Sequence, residues 1–395
     1  MATEVWTLNT YERDEGMRIC IDGIGTAKLR GTGLYTYTYE LLQNLFCIYP
    51  QPDYHLIWDE SSSIDQWENR RNIDFLPLMK RNESDNSKAI IEYLTGNGIN
   101  LFHSPNNGFS IPLEGEKGTC KYVITIHDVI AFTNPEMVDD KYLKRFQLTL
   151  PKAVEKADRI IAVSGSIKEQ LMNVLGVPVD KIDVIYPGCS NQFRPMDKEN
   201  CREFIKNQYH IQGEIILYAG SIHIRKNLVT LLRVFSDIKK NNKELKLVIA
   251  GKIDGKRQEH YSTLKDLAKY LKIENDLIFV GIVDYKYMPY FYNASRCFVN
   301  LSDYEGFPMT ATEAINCGIP TICSNTPPFL ETVGDKALLV NPKNEEEIKN
   351  AILEALDRKD QFFDLMNDSN SIEKDYSWNE TIRNYVRLYE TLLWG

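Results

Sequence analysis

Short apolar segments alternate with segments of helical periodicity along most of the chain, and this alternation constrains the fold more than any other sequence feature. In the first half, strand patterns occur at residues 17–22, 54–58, 100–103, 122–126, 159–163 and 182–186, with helical patterns at 141–157 and 166–175. Strands alternating with helices form a mostly parallel sheet that is covered on both faces. We therefore predict a doubly wound α/β domain at residues 17–190, preceded by a polar extension at 1–16.

The alternation starts again after a turn-rich segment at residues 187–195, which we interpret as an interdomain linker. Strand patterns follow at 212–219, 246–250, 277–280, 297–301, 319–323 and 337–340, with helical patterns at 260–271, 288–293, 309–317 and 345–356. The sequence thus predicts a second doubly wound domain at residues 196–375. A last amphipathic helix at 378–394 needs a surface on which to dock.

The charge and composition exclude several classes of protein. A net charge of -9 argues against a nucleic-acid partner, which requires a basic surface. The eight cysteines are scattered without metal-ligand spacing, so we expect reduced, buried thiols and no metal site. No apolar run approaches the length of a membrane span, and the N-terminus lacks the pattern of a signal peptide. A cytoplasmic location is the expectation.

Two carboxylates flank the predicted start of one helix in the second half. Glu305 precedes this helix and Glu313 lies on its second turn, while Pro308 suits the first turn and Gly318 suits the position after the last. A helix start of this kind offers free amides to an anion. The alternative interpretation, a helix cap and a solvated face, is the commoner meaning of such a pair.

Loops that follow predicted strands contain the other candidates. A glycine-rich loop at residues 23–33 lies between a strand and a helix, the order of a phosphate-binding loop, although a flexible loop explains it equally well. His127 directly follows a strand, where a crevice-lining group or a structural histidine would lie. Arg225 and Lys226 precede a helix, where cations oppose the helix dipole unless an anion lies nearby; the alternative is a solvated basic loop.

In this order, the glycine loop around Gly33, His127, the Arg225-Lys226 pair and the Glu305–Glu313 segment resemble a retaining glycosyltransferase of family-4 type with the GT-B fold. The resemblance extends from Met17 to Trp394 and is most specific between 279 and 320. It implies two Rossmann-like domains that face each other across a cleft, with the last helix returning to the N-terminal domain. The N-terminal domain would bind the acceptor, and the C-terminal domain would bind a nucleotide-sugar donor.

The resemblance also implies a role for each candidate residue. Glu313 would bind the ribose, Arg225 and Lys226 the diphosphate together with amides at Met309 and Thr310, and the segment at Val283 the base. Gly33 would let its loop approach the phosphate and sugar. His127 and Glu305 would contact the transferred sugar as the catalytic residues. Stabilisation by cations and amides would require no metal and no cofactor.

The resemblance implies transfer of a hexose to a glycan or lipid-linked acceptor in cell-surface polysaccharide or glycoconjugate synthesis. Its loop form favours GDP-mannose over a UDP-sugar as the donor. A nucleotide-sugar epimerase on the same fold and a non-catalytic, two-lobed sugar-binding protein are the alternatives. The basic helix predicted at 141–157 suits peripheral contact with the inner face of an anionic membrane, although its acidic neighbours favour an ordinary solvated helix.

Overall fold

The protein is described here by a computed structural model that covers residues 16–62, 73–78, 83–253, 257–357 and 376–395. Except for Gly16, the extension predicted at residues 1–16 lies outside the described residues. The described elements form two parallel sheets, one in each half of the chain. The linker predicted at 187–195 lies between them in sequence.

The first sheet has seven strands in the order β3-β2-β1-β4-β5-β6-β7, all parallel. The strands are β1 (Arg18–Asp22), β2 (Asp53–Asp59), β3 (Ile73–Leu78), β4 (Leu101–Ser104), β5 (Lys121–Ile126), β6 (Arg159–Ala162) and β7 (Ile182–Val184). The helices are α1 (Ile24–Lys28), α2 (Gly33–Ile48), α3 (Glu83–Gly96), α4 (Ile130–Thr133), α5 (Asp140–Lys156) and α6 (Gly165–Leu175). Strand order reverses between β1 and β4, which opens a crevice at their carboxyl ends.

The second sheet has six parallel strands in the order β10-β9-β8-β11-β12-β13. The strands are β8 (Glu214–Ala219), β9 (Leu245–Ala250), β10 (Leu277–Gly281), β11 (Cys297–Asn300), β12 (Thr321–Ser324) and β13 (Leu338–Val340). The helices are α7 (Lys198–Tyr209), α8 (Leu228–Lys239), α9 (Arg257–Tyr270), α10 (Met288–Ala294), α11 (Met309–Asn316), α12 (Pro327–Thr332) and α13 (Glu345–Asp357). The same reversal of strand order lies between β8 and β11.

The last helix, α14 (Trp378–Trp394), returns to the first domain. It begins after Ser377, whose hydroxyl accepts a hydrogen bond from the amide of Glu380 at 3.2 Å and caps the helix. Its buried face, which includes Ile382 and Tyr385, shares one apolar cluster with Leu41 of α2 and with β1. The structure therefore confirms two doubly wound domains of GT-B type and the return of the C-terminal helix.

Several local elements were missed or misplaced, among them helices α3 and α12, which the sequence analysis did not predict. Strand β3 was not predicted, because it contains Pro77 and pairs only with β2 at the sheet edge, where proline is tolerated. Helix α7 was also missed, since it buries only Cys201 and Ile205 and so has a weak apolar period. Pro308 lies just before α11 rather than in its first turn.

Candidate active site

A cleft lies between the two domains. The first domain lines it with residues 30–36, the loop before α2 and the start of that helix. The second domain lines it with the carboxyl ends of β8 and β9, the loop after β10 and the start of α11. Five predicted site residues line this cleft: Gly33, Val283, Met309, Thr310 and Glu313. The cleft thus lies where parallel sheets of this order bind ligands.

Two glycines of the first-domain loop have different roles. Gly31 has a φ of +80°, and a Cβ atom there would lie 2.9 Å from Cγ1 of Ile282 in the second domain. Gly33 is the first residue of α2, which is capped by the Thr32 hydroxyl, and a Cβ atom at Gly33 would meet nothing within 4 Å. The packing of the two domains therefore depends on Gly31, while Gly33 leaves open space beside the cleft.

Glu313 is a buried carboxyl group at the wall of the cleft. The Tyr292 hydroxyl donates a hydrogen bond to its Oε2 at 2.7 Å. Burial raises the pKa of Glu313 to about 8, and the nearby Glu40 contributes in the same direction. Near neutral pH, Glu313 is therefore held largely as the neutral acid, in a position where hydrogen bonds from a ligand would favour its ionised form.

Glu305 joins both predicted cations in a buried ion cluster. Its Oε2 lies 3.1 Å from Nη1 of Arg225, and its Oε1 contacts Nζ of Lys226. Burial alone would raise the pKa of Glu305, but the charges of Lys226 and Arg225 outweigh burial and lower it. Burial lowers the pKa of Lys226, although the negative charge of Glu305 acts in the opposite direction and raises it. Glu305 is therefore the carboxylate that both cations contact in the structure.

As the sequence predicted, Arg225 and Lys226 lie in a loop that precedes a helix, α8. They lie in a 3-10 turn, Ile224–Lys226, and Asn227 with a φ of 53° separates this turn from α8. The Arg225 guanidinium also donates to the backbone carbonyl of Tyr304 at 2.5 Å. Neither cation lines the cleft, although Gly220 and Ser221, a few residues upstream, do.

Two polar residues that the sequence analysis did not select connect the cluster with the cleft. Asn300 Oδ1 accepts hydrogen bonds from the amide and the hydroxyl of Ser302, at 3.2 and 2.6 Å. Asn300 Nδ2 lies 3.5 Å from the hydroxyl of Thr310, and Ser302 helps to lower the pKa of Glu305. Both lie at the end of β11, so their place at the crevice follows from the strand order.

His127 lies at the domain interface in a defined orientation. Its Nε2 is 2.7 Å from the carbonyl oxygen of Pro105, and its backbone amide donates to Oδ1 of Asn107 at 2.6 Å. Burial lowers the pKa of His127 to about 4, so the ring is neutral at neutral pH. The carbonyl bond assigns the proton to Nε2, which leaves Nδ1 as a hydrogen-bond acceptor.

The two predicted catalytic residues are close because Gly306 packs against His127. A Cβ atom at position 306 would lie 1.6 Å from the carbonyl oxygen of His127. Asp128 is part of the same region: burial raises its pKa, and both Arg225 and Glu305 interact with it electrostatically. Asp128 was not predicted as a site residue, although its position directly after β5 and His127 could have indicated it.

Further contacts hold the domains together around the site. Ser164 donates to the carbonyl of Gly306 at 2.8 Å. Glu331 of α12 accepts hydrogen bonds from the amides of Gly165 and Ser166 at the start of α6, at 2.6 and 3.0 Å. At the mouth of the cleft, Arg30 and Asp284 form an exposed ion pair between the domains. These groups were not predicted as site residues, because nothing in the local sequence indicates their partners in the other domain.

Over the described part of the chain, no group of three or more His, Cys, Asp or Glu residues is arranged to hold a metal ion. Helices long and apolar enough to span a bilayer are likewise absent from the described residues. Of the eight cysteines, all are free and seven are buried.

Comparison with known proteins agrees with this architecture. Residues 65–192 match the family model Glycosyltransferase Family 4, and residues 202–370 match the model Glycosyl transferases group 1. The O-antigen chain mannosyltransferase B of Escherichia coli is 28% identical over 294 residues, which is 74% of this chain and 74% of that protein. The serotype-specific mannosyltransferase WbdA of E. coli is 24% identical over 300 residues, 74% of this chain but only 37% of that protein.

Solved structures share the fold. A sucrose-phosphate synthase from Thermosynechococcus elongatus has a TM-score of 0.78 at 20% identity, over 95% of this chain and 99% of its own. HepE of Anabaena, in complex with UDP and glucose, has a TM-score of 0.74 at 13% identity, over 95% of this chain and 100% of its own. Paired doubly wound domains around a cleft, with both family models, define a glycosyltransferase of the GT-B fold. The chain belongs to the family-4 type of these enzymes, and the two E. coli relatives are named as mannosyltransferases.

Proposed function

We propose that the protein transfers a hexose, with retention of anomeric configuration, from a nucleoside-diphosphate sugar to a glycan or lipid-linked acceptor. The observation that carries this proposal is the interdomain cleft that contains Gly33, Val283, Glu313 and the start of α11. The names of the two E. coli relatives support mannose as the sugar and a cell-surface polysaccharide as the product.

The donor would lie along the second-domain wall of the cleft. Glu313, ionised on binding, would accept hydrogen bonds from the ribose hydroxyls, with the base near Val283. The amides of Met309 and Thr310 at the start of α11 would meet the diphosphate. Gly33 leaves the open space that the phosphate and sugar would fill.

Arg225 and Lys226 would supply the charge that the leaving group requires. Their present partner is Glu305, so the diphosphate would take over part of that pairing. A buried lysine and a partly buried arginine stabilise a departing diphosphate more strongly than exposed cations would, because less water screens them. The proposal therefore needs no metal and no cofactor.

The sugar would lie between His127 and Glu305. As the C1–O bond breaks, its electron pair leaves with the diphosphate, and positive charge develops on the ring and anomeric carbon. The Glu305 carboxylate and the neutral Nδ1 of His127 would interact favourably with that charge. The acceptor oxygen then forms the new C1–O bond, and the hydroxyl proton passes to an oxygen of the departing diphosphate. Front-side attack within an ion pair and a covalent intermediate both give retention, and the proposal includes either route.

The donor is tested first, because every other assay depends on it. GDP-mannose is proposed ahead of the UDP-sugars. A thermal-shift series would compare GDP, UDP, GDP-mannose and UDP-glucose, with GMP and UMP as controls that lack the diphosphate. We expect GDP-mannose to raise the midpoint most, because a ligand that binds only the folded state stabilises it. No shift with any nucleoside diphosphate would contradict the donor site.

Transfer itself requires a second experiment. The protein would be incubated with GDP-[14C]mannose and UDP-[14C]glucose, with and without an extract of lipid-linked glycans. A labelled glycan whose new linkage keeps the donor's anomeric configuration by NMR would support the proposal. A labelled epimer would favour the nucleotide-sugar epimerase, and binding without turnover would favour a sugar-binding protein.

The proposal also includes peripheral contact with the inner face of an anionic membrane through α5. The solvent-facing side of this helix carries Lys141, Lys144 and Lys152 around Leu148, which is 70% exposed, with Glu155 as an acidic neighbour. Basic residues near an anionic surface contribute about 1 kcal/mol each. Sedimentation with phosphatidylglycerol vesicles should exceed that with phosphatidylcholine vesicles, and Lys144→Glu should remove the difference. Equal sedimentation would exclude this contact.

A further inference from the structure

We propose that the return helix α14 positions His127 through two tyrosines, with Tyr385 fixing Tyr37 and Tyr37 fixing the imidazole ring. Tyr37 and Tyr385 are thus positioning residues rather than catalytic ones. The inference rests on the proposed role of His127 at the donor sugar. It gives the last segment of the chain a part in the chemistry of a site that lies far from it in sequence.

The ring of His127 has two kinds of fixed neighbour. The hydrogen bond between Nε2 and the carbonyl of Pro105 holds one ring atom. The ring of Tyr37 packs edge-on against the imidazole, with centroids 4.5 Å apart and planes at 84°. A single hydrogen bond permits the ring to tilt about the bonded atom, and the perpendicular contact restricts that tilt.

Tyr37 is itself held by α14. The hydroxyl groups of Tyr37 and Tyr385 are hydrogen-bonded to each other, and both side chains are buried, at 1% and 0% exposure. The Tyr37 ring also packs against Trp378 at the start of α14, with centroids 5.8 Å apart. Thr125 is a second hydrogen-bonding neighbour of the Tyr37 hydroxyl, so loss of the Tyr385 hydroxyl would leave Tyr37 held by Thr125 alone and would let it shift toward that residue.

The same hydrogen-bond chain continues away from His127. The Tyr385 hydroxyl lies 3.1 Å from that of Thr125, which lies 2.8 Å from Nε2 of His103. Nδ1 of His103 is 2.8 Å from the hydroxyl of Tyr389, one helical turn after Tyr385. Burial lowers the pKa of His103 to about 3, so this histidine is neutral and donates at one nitrogen while it accepts at the other.

Tyr389 provides a matched control for Tyr385. Both phenols come from the same face of α14, both are fully buried, and both hydroxyls hydrogen-bond to buried side chains: Tyr385 to Tyr37 and Thr125, and Tyr389 to His103. Only Tyr385 contacts Tyr37. A purely structural role of α14 predicts similar effects of Tyr385→Phe and Tyr389→Phe, whereas positioning predicts an effect on His127 from Tyr385→Phe alone.

Histidine-ring NMR tests the inference without any substrate. The chain has six histidines, and loss of one ring signal in His127→Ala would assign His127 in ¹H–¹⁵N spectra. We expect Tyr385→Phe to shift the His127 ring resonances and Tyr389→Phe to shift those of His103 instead. Unchanged His127 resonances in Tyr385→Phe, or equal shifts in both variants, would overturn the proposal. Should Tyr385→Phe not fold, Tyr37→Phe breaks the same hydrogen bond and keeps the ring.

Kinetics give the second readout, with GDP-mannose as the donor. Tyr385→Phe should lower kcat about 10-fold with KM for the donor changed less than about 2-fold, since misplacement of a group that acts in the transition state lowers kcat. In a His127→Ala background the same change should have little further effect. If Tyr385→Phe lowers kcat by the same factor in the His127→Ala background as in the wild type, Tyr385 does not act through His127. If His127→Ala retains full activity, the proposed role of His127 fails, while the NMR result still decides whether Tyr385 positions the ring.

Discussion

The carbonyl oxygen of His127 in the first domain lies so close to Gly306 in the second that a Cβ atom at position 306 would be 1.6 Å away. Both partners are backbone, so no side-chain rotation relieves such an overlap. The contact brings Glu305 and His127 to adjacent places on the two sides of the interface. A glycine is therefore required here for the domains to meet.

Gly306→Ala should separate the domains locally and reduce turnover. We expect a loss of about 1–3 kcal/mol in the free energy of unfolding, the usual range for an overpacked contact, and a fall of kcat of about 10-fold or more. Denaturant unfolding and donor turnover would measure the two effects. Gly96→Ala is the control, because a Cβ atom at Gly96 meets nothing within 4 Å; it should leave turnover unchanged and should not lower the free energy of unfolding. Full activity of Gly306→Ala would contradict the prediction and show that the domain interface accommodates the added Cβ atom.

Glu313→Gln should flatten the pH dependence of stability. The pKa of Glu313 in the folded protein, about 8, lies above its ordinary value of 4.5, so the folded state holds this proton more tightly than the unfolded state. Its contribution to stability is full below about pH 4.5 and is lost as the pH rises through about 8. Over that window wild-type stability should fall relative to Glu313→Gln by up to about 1.4 kcal/mol per pH unit.

Urea unfolding at pH 5, 6, 7 and 8 would compare the two proteins. Glu199→Gln, at a side chain that is 79% exposed, serves as the control and should keep the wild-type slope. Parallel curves for wild type and Glu313→Gln would mean that Glu313 is ionised in the free protein.

Glu305→Gln should make the protein less stable when empty and more responsive to a diphosphate. Removal of one partner of a buried ion pair leaves Arg225 and Lys226 uncompensated, at a cost of about 3 kcal/mol. GDP or inorganic pyrophosphate should then raise the melting temperature more than in wild type, because it restores the missing negative charge. The control is Glu331→Gln, another interdomain carboxylate, whose described hydrogen bonds come from amides and the Tyr186 phenol. An equal ligand-induced shift in wild type and Glu305→Gln would place the diphosphate away from these cations.

Lys226→Met should lower kcat about 100-fold, the magnitude typical of losing one group that stabilises a developing negative charge. Methionine keeps an unbranched apolar stem in the buried site, so folding should be less affected than by alanine. Steady-state release of GDP from GDP-mannose is the measurement. Lys246→Met, which removes a lysine paired with Asp276, should leave the rate unchanged. An undiminished rate in Lys226→Met would remove Lys226 from stabilisation of the leaving group.

The strand patterns predicted most of both sheets, because buried parallel strands are short, apolar and separated by periodic helices. Strand β3 escaped prediction since Pro77 and the alternating exposure of an edge strand hide the apolar pattern. In the site, Gly33, Val283, Met309, Thr310 and Glu313 were predicted and line one cleft. Their functional roles stay predictions until a donor is bound.

The sequence by itself determined the two doubly wound domains and the sheet edge at which the candidate site lies, since strand and helix periods and the loops that follow strands are local properties of the chain. Only the tertiary structure decided that Glu305 pairs with Arg225 and Lys226, and that α14 reaches Tyr37 through Tyr385. These partners are distant in sequence, so no local pattern links them. The protonation of Glu313 also depends on the tertiary structure, because burial raises its pKa and its burial depends on how both domains pack. Glu305 and Glu313 are the same residue type in the sequence, but their protonation differs in the folded protein. Glu305 is ionised between two cations, whereas Glu313 is largely neutral beside Tyr292.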